Sequence, residues 1–214
     1  MIRWWLALLI FDFFAGTGSA TQAFEDAGHT VIKVELDDYF EAHERDILSL
    51  NAAYLIEKYG QPDFVWASPP CQKFSVASLW KYWEGTKGNS KPKHPAVYEA
   101  LALIEHTINL MKSLNPTHGW IMENPRGMLR SQSVVKDLRR WTVSYCQYGD
   151  TRMKPTDLWG TIDWNSRAMC SPGSKCHEAS PAGTNAGGTG KLKNARLRSM
   201  IPYELGLEIL NDIK

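Results

Sequence analysis

Apolar residues along this chain follow two alternating rhythms. Short, nearly continuous apolar runs occur at Trp5–Phe13, at Thr30–Glu35 ("TVIKVE"), at Asp63–Ala67 and at Trp120–Met122. Runs of this length, rich in β-branched and aromatic residues, are expected for strands buried on both faces. Between them, apolar residues recur three and four apart. Ala20–Ala27 is expected to be a helix ended by Gly28, and Asn51–Tyr59 a helix ended by Gly60. The longest is Ala96–Leu114, where Val97, Leu101, Ile104, Ile108 and Met111 keep helical spacing. Ser133–Arg139 reads as a further helix and Trp141–Tyr148 as a further strand. This strand–helix–strand order predicts a doubly wound α/β sheet that binds its ligands beyond the carboxyl ends of its strands.

Two segments lack either rhythm. Leu79–Pro95, "LWKYWEGTKGNSKPKHP", reads as a loop rich in Lys, Gly and aromatics. Asn165–Lys193 is rich in Gly, Ser and Pro, and a structureless stretch of that length is usually functional or mobile. There is no internal repeat. The start, "MIRWWLALLIFDFFAGTGSA", imitates a signal peptide. Asp12 interrupts it before the roughly 20 apolar residues a bilayer requires, and cleavage after Ala20 would remove a glycine turn. A buried first strand is the expectation.

The 214 residues fit one domain with a substantial core. Four cysteines (71, 146, 170 and 176) are too few and too unevenly placed for a disulfide scaffold, which predicts a reducing, cytoplasmic setting. Net charge is +1, but its distribution is uneven. Residues 1–72 hold 4 Lys/Arg against 11 Asp/Glu, residues 73–98 hold 5 against 1, and residues 126–198 hold 13 against 5. One face suited to a polyanion is one reading and solvated loops are the other.

Candidate chemistry sits at the strand ends. Gly16 and Gly18 in "FDFFAGTGSATQAF" allow a tight turn and a close backbone approach to a ligand. The third glycine of a dinucleotide motif and the Lys-Ser/Thr pair of a phosphate loop are both missing. Glu35 follows the second strand, where a carboxylate accepts the hydroxyls of a ribose. Asp46 in "RDILSL" is placed to accept from an adenine amino group. Both acids also fit a solvated surface.

"DFVWASPPCQKFS" carries a strand into Pro69 and Pro70, which hold Cys71 outside the sheet at a defined position. A lone Cys is more often a small buried hydrophobe, but Gln72, Lys73 and Ser75 make this one polar, and Lys73 is expected to favour its thiolate. "WIMENPRG" ends a strand at Glu123. Partly desolvated, that carboxyl would keep its proton near neutrality and act as an acid; a surface acid is the alternative. In "YCQYGDTRMKPTDLWG", Arg152 and Lys154 share a face if the segment is a strand, and there they would hold phosphate or a base carbonyl.

In order and spacing, these motifs resemble the cytosine-5 DNA methyltransferases, as a short member of phage or bacterial type. "DFFAGTGSATQAF" is similar to their glycine motif, "VELD" to their ribose-binding acid, and "DI" at 46–47 to their adenine-contacting pair. "SPPCQKFS" resembles the Pro-Cys-Gln nucleophile motif. "MENP" resembles Glu-Asn-Val with Pro125 replacing Val, and "YGDTRMKPTDLWG" a weakened Gln-x-Arg-x-Arg strand. The ending "RSMIPYELGLEIL" is similar to the family's last helix.

The resemblance implies a Rossmann-like, mostly parallel sheet with an antiparallel strand near its C-terminal part. It implies S-adenosylmethionine at Phe14, Ala15, Gly16, Gly18, Glu35, Asp46, Ile47 and Pro69. Catalysis is implied for Cys71, Glu123, Asn124 and Arg152, and DNA contact for Gln72, Lys73, Ser75, Trp80, Trp83 and Lys154. The Cys71 thiolate would add to cytosine carbon 6 while Glu123 donates to ring nitrogen 3, with the base flipped out of the duplex. The Leu79–Pro95 loop becomes a candidate lid.

The implied organisation is a catalytic domain at 1–160, a short target-recognition insert at 161–195 and a returning helix at 196–214, in a monomer that binds double-stranded DNA and no membrane. No metal is assigned. Cys170, Cys176 and His177, with Cys146, are zinc candidates whose spacing matches no standard motif. An amino-group methyltransferase, favoured by "SPP", and a silent DNA-binding module are the rival readings.

Overall fold

The computed structural model describes residues 7–86, 89–178 and 194–213. Six strands form one sheet in the order β2-β1-β3-β6-β8-β7. They are β1 (Leu9–Phe13), β2 (Thr30–Val34), β3 (Phe64–Ala67), β6 (Trp120–Pro125), β7 (Arg139–Ser144) and β8 (Pro155–Gly160). The first four run parallel, with Phe13 beside both Val34 and Ala67, and Ala67 beside Met122. β8 is antiparallel to both β6 and β7. The expected mostly parallel sheet with a reversed strand late in the chain is therefore the fold.

Alternation along the central strands covers both faces. Phe11, Phe13, Val65, Ala67 and Met122 share one cluster with Leu55 of α2 (Ala52–Tyr59) and with Val97, Ile104, Ile108 and Met111 of α4 (Ala96–Leu114). Ile10, Phe64, Trp66 and Ile121 point the other way. They pack with Phe24 of α1 (Gln22–Asp26) and with Leu205, Ile209 and Leu210 of α6 (Tyr203–Asp212). Full burial of each such side chain is worth about 1.5–3 kcal/mol, which is why strands this short hold. Helix α2 starts where Asn51 accepts from the Tyr54 N–H at 3.0 Å and stops at Gly60, with φ 101°.

The structure departs from the sequence pattern in four places. Strand β1 starts at Leu9, and Trp5 and Leu6 lie outside the described residues. Ser133–Arg139 forms no α-helix: a 3₁₀ turn spans Ser133–Val135, and Arg139 already pairs with Gly160 in the sheet. Trp141–Tyr148 is a strand only to Ser144, after which Tyr145–Tyr148 is a 3₁₀ turn closed by Gly149 at φ 83°.

The fourth is Leu79–Pro95, which is no loop. It forms α3 (Leu79–Tyr82) and an antiparallel ribbon of β4 (Trp83–Thr86) and β5 (Asn89–Pro92). Tyr82 and Trp83 anchor the ribbon in the core. Of the Gly/Ser/Pro-rich stretch, residues 179–193 lie outside the described residues. The preceding coil is tied to the sheet through Trp164, which packs on Trp141 at 5.8 Å and accepts its indole N–H at 2.9 Å.

Candidate active site

Because β1, β2, β3 and β6 are parallel and in register, the glycine turn, Glu35, the Pro-Pro-Cys turn and Glu123 all leave the sheet at one edge. Beyond β3, the Cys71 carbonyl accepts from the N–H groups of Phe74 and Ser75, both at 2.9 Å, which winds the chain tightly after the thiol. Two contacts from β6 and its exit hold this turn. Buried Asn124 donates to the Pro69 carbonyl at 2.9 Å. The Met128 N–H donates to the Phe74 carbonyl at 2.8 Å. At Gly127 a Cβ would lie 2.2 Å from that same carbonyl, so only glycine lets the two segments meet. Asn124 therefore holds the turn that carries Cys71, and Pro69 is buried with its carbonyl engaged.

Glu123 is buried, and Tyr145 Oη donates to its Oε1 at 3.0 Å. Burial pushes the Glu123 carboxyl above its ordinary range, against the pull of Lys154 and Tyr145. The same burial, with Glu123 second, pushes the Cys71 thiol up, and Lys154 counteracts it. Lys154 is itself pulled down by burial and supported by Glu123. Its Nζ lies 4.4 Å from the Tyr145 ring centroid and donates to the Arg198 carbonyl at 3.2 Å.

The cation facing the thiol is therefore Lys154. Lys73, expected in that role, turns instead to the Tyr82 hydroxyl at 3.2 Å. Arg152 and Lys154 do not share a strand face either, since β8 begins only at Pro155 and Lys154 has φ 21°. Arg152 pairs with Asp150 through both carboxylate oxygens and donates to the carbonyls of Leu197, Arg198 and Met200. Its donors clamp the C-terminal segment and are not free for a phosphate or a base.

At the cofactor edge, Phe14, Gly16 and Gly18 all have positive φ (61°, 50° and 73°). The N–H groups of Phe14 and Ala15 donate to the Val34 carbonyl at 2.8 and 3.1 Å, fastening the turn to β2. Glu35 accepts from Gly16 N–H at 2.8 Å and from Asp37 N–H at 2.9 Å. The nearest atom to a Cβ built at Gly16 is Glu35 Oε2, at 3.9 Å. The acid is thus held directly against the backbone of the glycine turn. Asp46 is exposed and caps the 3₁₀ turn Ile47–Ser49. The Ile47 side chain is core, which leaves only its backbone for a ligand. Helix α6 lies on α1, with Gly206 against the Ala20 carbonyl, and the Ile201 N–H donates to Ser19 at 3.0 Å.

Among the residues expected to touch DNA, Gln72 is exposed and Trp80 is 77% exposed. Ser75 caps a 3₁₀ turn through Ala77 N–H. Trp83 is corrected: it is buried, and its indole donates to the Lys73 carbonyl at 2.6 Å, so it is an anchor of the ribbon. Cys146, Cys170, Cys176 and His177 converge, with their ligand atoms within 4.8 Å of one another.

Three side chains went unnoticed in the sequence. Tyr145 holds Glu123. Asp12, inside β1, is fully buried and accepts from Thr21 Oγ1 at 2.6 Å. Arg130 grips buried Asp157 with Nε at 2.9 Å and Nη2 at 2.6 Å. Only the interruption of the apolar run at Asp12 was visible beforehand.

A sheet of this order, closed by one reversed strand and opening its glycine turn beside an acid, is the architecture of S-adenosylmethionine-dependent methyltransferases. The Entamoeba histolytica methyltransferase EhMeth superposes with TM-score 0.50 at 14% identity, over 73% of this chain and 53% of that one. The S. pombe Dnmt2 methyltransferase gives 0.48 at 13% identity, over 76% and 52%. This chain thus spans about half the length of those two proteins.

A family model described as C-5 cytosine-specific DNA methylase matches residues 8–142, more than half of the sequence. The chain belongs to the C-5 cytosine-specific DNA methylases, which take methyl from S-adenosylmethionine. A probable DNA (cytosine-5)-methyltransferase of Frog virus 3 (isolate Goorha) is 28% identical over 94% of this chain and 98% of its own length. No helix among the described residues is long and apolar enough to cross a membrane.

Proposed function

We propose that the protein methylates carbon 5 of cytosine in double-stranded DNA, through a transient bond between Cys71 and a base flipped out of the helix. One observation carries this reading: the parallel register of β1, β3 and β6 brings the Cys71 turn, held by Asn124, and buried Glu123 to the sheet edge that also holds the glycine turn. A cytosine ring is a poor nucleophile at carbon 5 until a nucleophile adds at carbon 6.

The Cys71 sulfur supplies that bond. Burial favours the protonated form of Glu123, which donates to ring nitrogen 3 and offsets the electron density gathering there. At the thiol itself Lys154 favours the thiolate, and the Glu123 charge opposes it. The glycine turn and Glu35 would hold S-adenosylmethionine, which would give an electrophilic methyl group to carbon 5 and leave as S-adenosylhomocysteine. Loss of the carbon 5 proton to water then restores the ring double bond and expels the Cys71 sulfur. The base must leave the stack for its ring face to be reached, at a cost of a few kcal/mol. Trp80, exposed on α3, and Gln72, beside the nucleophile, are the side chains offered to the DNA.

Duplex DNA carrying 5-fluorocytosine tests the covalent step, because fluorine cannot leave as the proton does. The wild-type protein is expected to form a denaturation-resistant adduct through Cys71, while Cys71→Ala forms none and transfers no methyl. Methyl transfer by Cys71→Ala at the wild-type rate, or product methylated on an exocyclic amino group, overturns the reading.

A further inference from the structure

The structure assigns a structural zinc site to Cys146, Cys170, Cys176 and His177. Cys170 Sγ lies 3.2 Å from Cys176 Sγ and 3.3 Å from His177 Nδ1. Cys176 Sγ lies 3.7 Å from Cys146 Sγ and 3.6 Å from His177 Nδ1. A tetrahedral zinc ion with Zn–S of about 2.3 Å and Zn–N of about 2.0 Å has ligand–ligand edges of about 3.5–3.8 Å. These four of the six separations lie along those edges or up to about 0.5 Å inside them, and all the ligand atoms are within 4.8 Å of one another. A disulfide needs about 2.05 Å between sulfurs, and all four cysteines of the chain are free thiols. Three sulfurs and one imidazole nitrogen form a donor set suited to zinc, and four protein ligands describe a closed, non-catalytic site.

The local chain is built to bring these atoms together. Cys170 and Cys176 are separated by a turn in which Ser174 N–H donates to the Ser171 carbonyl at 3.2 Å, with Gly173 at φ 85°. The coil is fastened at both ends of this knuckle. Cys170 N–H donates to Ser144 Oγ at 3.2 Å, and Glu178 N–H to the Thr151 carbonyl at 2.9 Å. Cys146 arrives from the separate 3₁₀ turn Tyr145–Tyr148. Gln147 Nε2 donates to Cys176 Sγ at 3.4 Å, the kind of outer hydrogen bond that accompanies metal thiolates.

The site lies in a stretch with few other means of order. No helix or strand is found among the described residues 161–178, and the apolar cluster around the sulfurs is only Cys146, Met153 and Cys170. Its neighbours give it a purpose. Tyr145, adjacent to Cys146, hydrogen-bonds Glu123, and Met153, adjacent to Lys154, offers its carbonyl to Tyr145 N–H at 2.9 Å. A metal here cross-links the coil after β8 to the two turns that deliver Tyr145 and Lys154 to the active site.

Untagged protein from zinc-supplemented cells, purified without chelators, is expected to contain about one zinc per chain by elemental analysis. Replacing it with Co²⁺ should give the intense visible and sulfur-to-metal charge-transfer bands of tetrahedral thiolate coordination. Cys170→Ser and the exposed Cys176→Ser should each lose the metal, while Cys71→Ser keeps it. Chelation should hasten proteolytic cleavage beyond Gly160. A metal content far below one per chain, a weak octahedral cobalt spectrum, or a Cys170–Cys176 disulfide in freshly purified protein overturns the assignment. The cobalt spectrum of wild-type protein decides the matter even if the variants fail to fold. None of these readouts depends on methyl transfer, so this inference and the proposed function fail separately.

Discussion

The two halves of the sheet place their functional groups by different means. On the parallel side, β1, β2, β3 and β6 deliver the glycine turn, Glu35, Cys71 and Glu123 to one edge through strand direction and register alone. On the antiparallel side, β7 and β8 and the turns between them work through side chains. There Tyr145 steadies Glu123, Lys154 lies near the thiol, and Arg130 grips Asp157 across β8. Backbone geometry thus brings Cys71 and Glu123 to one edge, and side chains of the antiparallel half pack around them. Damage on the first side should remove the reaction, whereas damage on the second should change its pH dependence or the protein's stability.

The largest effect expected here belongs to the parallel side. Glu123→Gln keeps the shape but removes the acid, so single-turnover methyl transfer should fall about 10²–10⁴-fold with cofactor affinity nearly unchanged. Glu35→Ala should do the reverse, weakening the cofactor while sparing the rate at saturation. If the two variants had indistinguishable kinetic signatures, the division of labour along this edge would be wrong.

Next is the buried ion pair of the antiparallel side. Arg130→Ala strands Asp157, whose side chain is fully buried, and should cost about 3–5 kcal/mol in denaturant unfolding. Arg130→Met combined with Asp157→Asn removes both charges, keeps an acceptor for Thr142 and should recover most of that loss. A double variant no more stable than Arg130→Ala would show that the pair is not the source of the penalty.

These two tests also mark what the sequence could disclose. The parallel strands announce themselves because strands buried on both faces need unbroken apolar runs, and the Asn51 cap, Gly60 and α4 obey local rules. Cys71 and Glu123 were legible because each closely follows such a run. Tyr145, the Arg130–Asp157 pair and the cation at the thiol depend on contacts between segments 22 to 83 residues apart, which no local spacing encodes. Trp83 and Ser133–Arg139 misled for the same reason: tertiary burial and pairing with β8 override what composition and periodicity favour.

Asp12 is the exception on the parallel side, an acid inside β1 whose ionisation does affect stability. Burial raises its carboxyl to about 7, against 3.8 for the free group. The folded state therefore binds more protons than the unfolded chain between those values, so this group's contribution to stability falls as pH rises from about 4 to about 7 and is flat above. Asp12→Asn should gain on the wild type across that window, by a few kcal/mol at most. Urea unfolding at several pH values reads the difference. A pH-independent offset would mean that the carboxyl titrates normally.

The smallest effect tests which lysine serves the thiol. Burial and Glu123 hold Cys71 above its ordinary value of 9.0, and Lys154 pulls it back. A cation favours the thiolate, so Lys154→Met should move the thiol further up. Alkylation of Cys71, followed by peptide mass spectrometry so that the other cysteines do not interfere, should then slow near neutrality. The shortfall should close as pH rises through the shifted value, because both proteins become thiolates there. Lys73→Met, which removes a lysine engaged with Tyr82, should leave the profile unchanged. The opposite result, with Lys73→Met shifting the curve and Lys154→Met leaving it in place, would return control of the nucleophile to its own loop. The antiparallel half would then have no part in tuning it.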